Sequence, residues 1–247
     1  DEAFLYLGRS FHALGEYSRA IDALRSFVEK RSDSAAGHFF LGRSYLAMNI
    51  YPHAAVHLRE SLLIRPGFFQ AAMLLGYTLL KLRRPDEASD LLAKLVEVHP
   101  TDENLYSGYL NSLLVSGIQH FKAGDLEYAR EVFEFLKGKG KESILINLYL
   151  GMMYRQSGEH DAAVDAYEAA LLESPGDELI LYRTAILNIQ AGNEHRGREL
   201  LALLARSFPH SPLLQSNEAD HALAFQYLQR AEYQKALDHG LIILKQN

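Results

Sequence analysis

Histidines 53 and 57 stand four residues apart, a spacing that puts two imidazoles on one face of a helix and would hold a divalent ion if a third ligand approached. No such ligand is implied by the sequence, so two solvent-facing histidines are the expected outcome and no metal site is assigned. Lys137-Gly138-Lys139-Gly140-Lys141 gathers three cations in five residues, enough to touch an acidic partner or a phosphate, although short charge runs ordinarily face water as a connection between helices. The chain has no glycine-rich phosphate loop, no Gly-x-Ser-x-Gly elbow and no His-Glu-x-x-His. Cysteine is absent, which removes thiolate ligands, a cysteine nucleophile and disulfides. No catalytic residue and no cofactor is expected, and the chain is not read as an enzyme.

The elements that would carry these residues are helical. Ile144 to Pro175 contains two amphipathic stripes, one through Leu148, Gly151 and Tyr154 and one through Ala163, Tyr167 and Ala170, interrupted by Ser157-Gly158-Glu159. This predicts a helical hairpin, which cannot bury both stripes alone and needs further copies beside it. The copies are present. Leu-Gly pairs occur at Leu7-Gly8, Leu41-Gly42, Leu75-Gly76 and Leu150-Gly151, the first three 34 residues apart. Twelve residues after each glycine stands an alanine (Ala20, Ala54, Ala88, Ala163), and four further on a large apolar residue (Leu24, Leu58, Leu92, Tyr167). Pro66, Pro100, Pro175 and Pro209 close four of the units. The small residues mark where two helices approach most closely, and the prolines stop the second helix. Gly15, Asn49, Gly124, Gly158 and Gly192 occupy the expected turn between helices. Another unit exchanges its landmarks, with Ala185 where glycine is expected and Gly197 where alanine is expected.

This pattern resembles the tetratricopeptide repeat family over nearly the whole chain. The expected fold is all-α, a single solenoid over 1–247 with seven hairpins at about 1–34, 35–68, 69–102, 110–143, 144–177, 178–211 and 217–247. The resemblance further implies a right-handed superhelix. Two segments break the period. Residues 103–109 amount to about two helical turns and are read as lengthening the following helix, with Asp102 as its cap. Residues 212–216, after Ser211-Pro212, are read as lengthening another.

What the resemblance implies about function concerns the first helix of each hairpin, which in this family lines the concave side and leaves certain side chains free to contact peptides. Those places hold Leu5 and Arg9, Phe39 and Arg43, Met73 and Tyr77, Leu114 and Ile118, Leu148 and Met152, Tyr182 and Ile186, and His221 and Phe225. The partner-binding groove is therefore expected at Arg9, Phe39, Arg43, Met73, Tyr77, Leu148, Met152, Tyr182, Arg183 and Ile186. Arg9, Arg43, Arg155 and Arg183 could fix a carboxylate there. The family's clamp for a C-terminal carboxylate uses Lys and Asn where this chain has Leu5 and Arg9, so that clamp is not carried over.

Composition is compatible with this reading. The chain is 48% hydrophobic and 23% charged, and Lys plus Arg number 25 against 31 Asp plus Glu, a net charge of −6 that argues against coating nucleic acid or an anionic membrane. No apolar run approaches the roughly 18 residues that span a bilayer. A cytoplasmic protein is expected, with the bacterial periplasm equally compatible with the lack of cysteine. The opening Asp1-Glu2-Ala3 and the still-apolar Leu241-Ile242-Ile243-Leu244 suggest a fragment or an end covered by another copy. The expected role is an adaptor or assembly scaffold that binds a protein or peptide segment. The rivals are a self-association module whose groove is filled by the neighbouring copy and the non-catalytic arm of a larger enzyme; an uncapped end could also carry a homo-oligomer.

Overall fold

A computed structural model describes residues 2–141 and 143–246. The described residues form fourteen α-helices and one short 3-10 turn, with no strand among them. The helices are α1 (Glu2–Ala13), α2 (Tyr17–Lys30), α3 (Ala35–Ala47), α4 (Tyr51–Ile64), α5 (Phe69–Lys81), α6 (Pro85–Val98) and α7 (Glu103–Ala123) in a first compact unit, Asp1–Gly124. A second unit, Asp125–Asn247, holds α8 (Leu126–Gly138), α9 (Ile144–Gln156), α10 (His160–Glu173), α11 (Glu178–Gln190), α12 (Glu194–Ser207), α13 (Glu218–Gln229) and α14 (Tyr233–Gln246).

Within the first unit each helix packs on its sequence neighbours, and α1, α3, α5 and α7 also touch in succession, forming one layer. In the second unit the strongest pairings are α9 with α10, α11 with α12 and α13 with α14, and α11 also reaches α13. Nearest-neighbour packing of this kind is the signature of a repeat stack.

The close approaches fall at the periodic small residues. A Cβ built on Gly8 would stand 2.4 Å from Leu24 Cγ, one on Gly42 2.8 Å from Leu58 Cγ, and one on Gly151 2.5 Å from Tyr167 Cδ2. Ala20, Ala54, Ala88 and Ala163 are fully buried. The exchanged unit preserves the contact from the opposite side, since a Cβ on Gly197 would lie 2.7 Å from the carbonyl oxygen of Ala185. Each closing proline sits two residues beyond the end of its helix, after α4, α6, α10 and α12.

The hairpin turns adopt left-handed backbone. Four use glycine, as at Gly158 (φ +80°), but Asn49 (+60°), Arg83 (+57°) and Ala231 (+58°) carry side chains into a region that disfavours them. Arg83 takes the strained position itself, and Pro85 begins α6 immediately afterwards.

Side chains cap four first helices. Ser34 accepts from Gly37 N (3.2 Å), Asp102 from Leu105 N (2.9 Å), Ser143 from Ile146 N (3.3 Å) and Asp177 from Ile180 N (2.9 Å). Asp102 opens a 21-residue α7, whose first turns bury Leu105 completely. The segment 212–216 behaves differently from the lengthened helix expected there. Pro212–Gln215 forms a separate 3-10 turn capped by Ser211, and α13 starts only at Glu218. Leu213 and Leu214 turn inward onto the core beside α11 and α12, which a continuous α13 helix would not bring there.

Candidate functional site

The structure sorts the expected groove residues into two groups. Arg9, Arg43 and Tyr77 are exposed, and Met73, Leu148, Met152 and Arg183 are half-buried. Phe39, Tyr182 and Ile186 are instead core residues, 7%, 3% and 2% exposed. Phe39 is covered by Phe68 from the segment before α5, their ring centroids 4.7 Å apart. Tyr182 and Ile186 belong to a buried cluster on which Leu213 and Leu214 of the 3-10 turn pack. The Tyr182 hydroxyl, with Ser216 Oγ at 3.0 Å and Glu218 Oε2 at 3.1 Å, ties α11 to the residues that follow the turn. These three side chains therefore present no surface to a partner, and the candidate groove contracts to the remaining positions.

In the first unit a cleft of about 560 Å³ opens between α1 and α3, lined by Tyr6, Arg9, Ser10, His12, Ala13, Phe40 and Arg43. The Arg9 guanidinium lies over the Phe40 ring at 4.9 Å. His12 Nδ1 is 3.0 Å from Ser44 Oγ, and burial, followed by the neighbouring Arg43, lowers the His12 pKa. The cleft wall is thus cationic through its arginines while the imidazole favours its neutral form.

In the second unit a smaller pocket of about 190 Å³ lies between α9 and α11. Leu148, Met152 and Arg155 reach it from one face of α9, Leu179, Ile180 and Arg183 from one face of α11, and Tyr167 from α10. Tyr167 is only 3% exposed, because its ring fills the space left by Gly151. Burial raises its pKa, against the smaller opposing influence of Arg155 and Arg183. No carboxylate pairs with either arginine among the described residues, in contrast to Arg130, which grips Glu159 through two nitrogens at 2.7 and 3.0 Å and reaches Glu134 at 2.8 Å.

The other residues with chemical potential are engaged structurally. His57 Nδ1 lies 3.1 Å from His38 Nδ1, while His38 Nε2 faces the Ser32 carbonyl at 3.2 Å. With Nε2–H of His38 donating to that carbonyl, its Nδ1 is left to accept from His57. The His57 ring also stacks on Tyr45 at 5.6 Å, and its pKa is lowered to about 4 by burial first and then by His38, His53 and Arg25. Only His53 of the i, i+4 pair is exposed. Among the described residues no group of three potential ligands gathers for a metal ion.

Ser116, Asp86 and His120 also meet, but with the carboxylate in the middle: Ser116 donates to Asp86 Oδ1 at 2.5 Å and His120 Nε2 is 3.3 Å from Asp86 Oδ2. Activating the hydroxyl would require the imidazole between them. The trio ties α6 to α7. In the basic run, Lys139 caps α8 and stacks its ammonium over Phe135 at 5.3 Å.

Sequence reading missed a regular tie between second helices. Arg59 donates to Glu87 across α4 and α6 at 2.7 Å, and Arg196 donates to Glu168 across α12 and α10 at 2.8 and 3.0 Å. Both pairs are 28 residues apart and begin one residue after a buried landmark, Leu58 or Tyr167, with the charge order reversed. Opposite charges at that spacing were the available signal.

Among the described residues no helix is long and apolar enough to cross a membrane. Similar solved structures include PilF of Pseudomonas aeruginosa, 18% identical over 87% of this chain and 94% of that one, with a TM-score of 0.49. PilW, a widely conserved type IV pilus biogenesis factor, is 18% identical over 87% of this chain and 96% of its own, with a TM-score of 0.46. YrrB, a TPR protein with an unusual peptide-binding site, is 17% identical over 85% of this chain and 88% of its own, with a TM-score of 0.38. No curated protein matches the chain in sequence. Models of the tetratricopeptide repeat match residues 2–34 and 70–102 and, in a second form, 114–178, together more than half of the chain. With hairpins meeting at periodic small residues and turning on left-handed backbone, the chain belongs to the tetratricopeptide repeat family.

Proposed function

We propose that this protein is a non-catalytic interaction module that holds a segment of a protein partner against the first helices of its hairpins. The observation that supports this is the combination, in each compact unit, of apolar or aromatic lining with arginines that have no carboxylate partner among the described residues. Isolated exposed apolar residues are ordinary, but concave apolar surface beside unpaired cations suits a segment with apolar side chains and negative charge. The role is that of an adaptor or assembly scaffold. Selection of binding peptides from a random library, repeated with Arg43→Glu and Tyr77→Asp variants of unchanged mass and helicity, tests it. Selection by the wild type and loss in the variants is expected, whereas failure of the wild type to select any peptide sinks the reading.

A second reading rests on α14. Tyr233, Leu237, Leu241 and Leu244 form an exposed apolar stripe along it, which suits self-association. Light scattering across a dilution series separates the two: a mass that falls with dilution, and rises no further in Leu241→Glu, supports self-association, and a constant monomer mass excludes it.

A further inference from the structure

Three residues with polar ends line the α9–α11 pocket: Arg155, Arg183 and Tyr167. The Tyr167 hydroxyl has no hydrogen-bond partner among the described residues, although the residue is almost wholly buried. Nor is its oxygen among the sealed, unpartnered polar atoms, which among the described residues comprise only Asn147 Oδ1. Some accessible surface therefore remains at that oxygen, and the α9–α11 pocket is the concavity that Tyr167 lines. A phenol with no protein partner can donate to a ligand, and the exposed Arg155 and half-buried Arg183, neither paired with a carboxylate among the described residues, give the pocket a cationic edge.

The rest of the lining is apolar, from Leu148 and Met152 on one side and Leu179 and Ile180 on the other. At about 190 Å³ the space is below the roughly 300–1,000 Å³ of small-molecule sites and admits about one side chain. Leu179 on the pocket wall and Leu145 outside it remain about half exposed on the opening turns of α11 and α9 and extend the apolar surface past the rim. A glutamate side chain matches this order of surfaces: its methylenes pass the aliphatic walls and its carboxylate meets two guanidinium groups and a phenol.

Building on the groove reading above, we propose that this pocket receives an internal acidic side chain, glutamate by preference, from a partner segment whose neighbouring apolar residues lie on Leu145 and Leu179. The protein's net charge of −6 does not oppose this, because the nearest cations set the local field and more distant surface charges are screened within about 8 Å at physiological salt.

The test uses random dodecamers displayed on bacteriophage between constant flanks, so that no peptide offers a free carboxyl terminus. The wild type should enrich sequences with one acidic residue beside Leu, Ile, Met or Phe. In an enriched peptide made with acetyl and amide ends, replacing the acid by its amide should weaken binding tenfold or more, as expected for lost hydrogen bonds to a charge. The same replacement should matter less than twofold with an Arg155→Leu/Arg183→Leu variant. Tyr167→Phe, which keeps the ring that fills the space at Gly151, should weaken the acidic peptide severalfold and leave the amide peptide unaffected. Enrichment without acidic residues, or an acidic preference unchanged in the arginine variant, overturns this pocket and leaves the groove reading standing. A wild type that enriches nothing overturns both.

Discussion

The ring of Tyr167 occupies the place where Gly151 would carry a side chain, with Cδ2 and Cε2 at 2.5 and 2.6 Å from an ideal Cβ. The tightest contact of this hairpin and the floor of the α9–α11 pocket are therefore one feature. Gly151→Ala gains about 1 kcal/mol of helix propensity but must displace a buried ring, which costs about 1–3 kcal/mol. The expected outcome is a net loss of about 1 kcal/mol in urea denaturation and a changed pocket. Gly240→Ala is the control: nothing lies within 4 Å of its Cβ, so it should stabilise by about 0.5–1 kcal/mol.

Arg83 holds φ +57° where four other hairpins place glycine. Arg83→Gly relieves about 1 kcal/mol or more of backbone strain, partly offset by the greater freedom of glycine in the unfolded chain. A small rise in the urea midpoint is expected, and a lower midpoint would show that the arginine side chain outweighs the strain.

Protonation of His57 is linked to stability in acid. Its folded pKa of about 4 lies below the ordinary 6.5, so the unfolded chain takes up the proton first. The stabilisation is complete above pH 6.5 and is lost as pH falls toward about 4. His57 is partly open to solvent, and with screening allowed for its share is on the order of 1–2 kcal/mol. His57→Phe retains a ring against Tyr45 and should flatten the pH dependence of unfolding free energy in that window. An unchanged slope would assign the acid lability elsewhere.

Asp102 starts α7 by accepting from Leu105 N. Asp102→Ala should cost about 1 kcal/mol, and Asp102→Ser should restore most of it. Equal loss in both variants would mean that charge, and not capping, is the contribution.

Tyr182→Phe removes the hydroxyl that meets Ser216 and Glu218. About 1 kcal/mol should be lost, with faster proteolytic cleavage within 212–216 as the specific sign. Unchanged cleavage would show that Leu213 and Leu214 hold the turn without it.

The helical hairpins were legible because their constraint is local and recurrent. Gly8 facing Leu24 and Gly42 facing Leu58 are the same steric event at a fixed spacing, so sequence alone exposes it. The groove was less legible because a first-helix position is free only if nothing from a connection covers it. Phe68 covers Phe39, and Leu213 and Leu214 cover the cluster that contains Tyr182 and Ile186. The covering residues lie in connections between helices, Phe68 at the last place of its repeat and Leu213 and Leu214 between two repeats, where helical periodicity gives no guidance. Tyr167 was legible as a packing landmark, but its unpartnered hydroxyl depends on which neighbours reach it in space.

Helix α14 has its substantial packing on α13 alone. In a stack of nearest-neighbour contacts an element with one supporting surface opens at lower free energy than those held on two sides. Amide hydrogens of α14 should therefore exchange with deuterium ahead of those in α11, which is braced by α10, α12 and α13. The expected pattern is a gradient of protection within the second unit, with the α9–α11 pocket against its slow end.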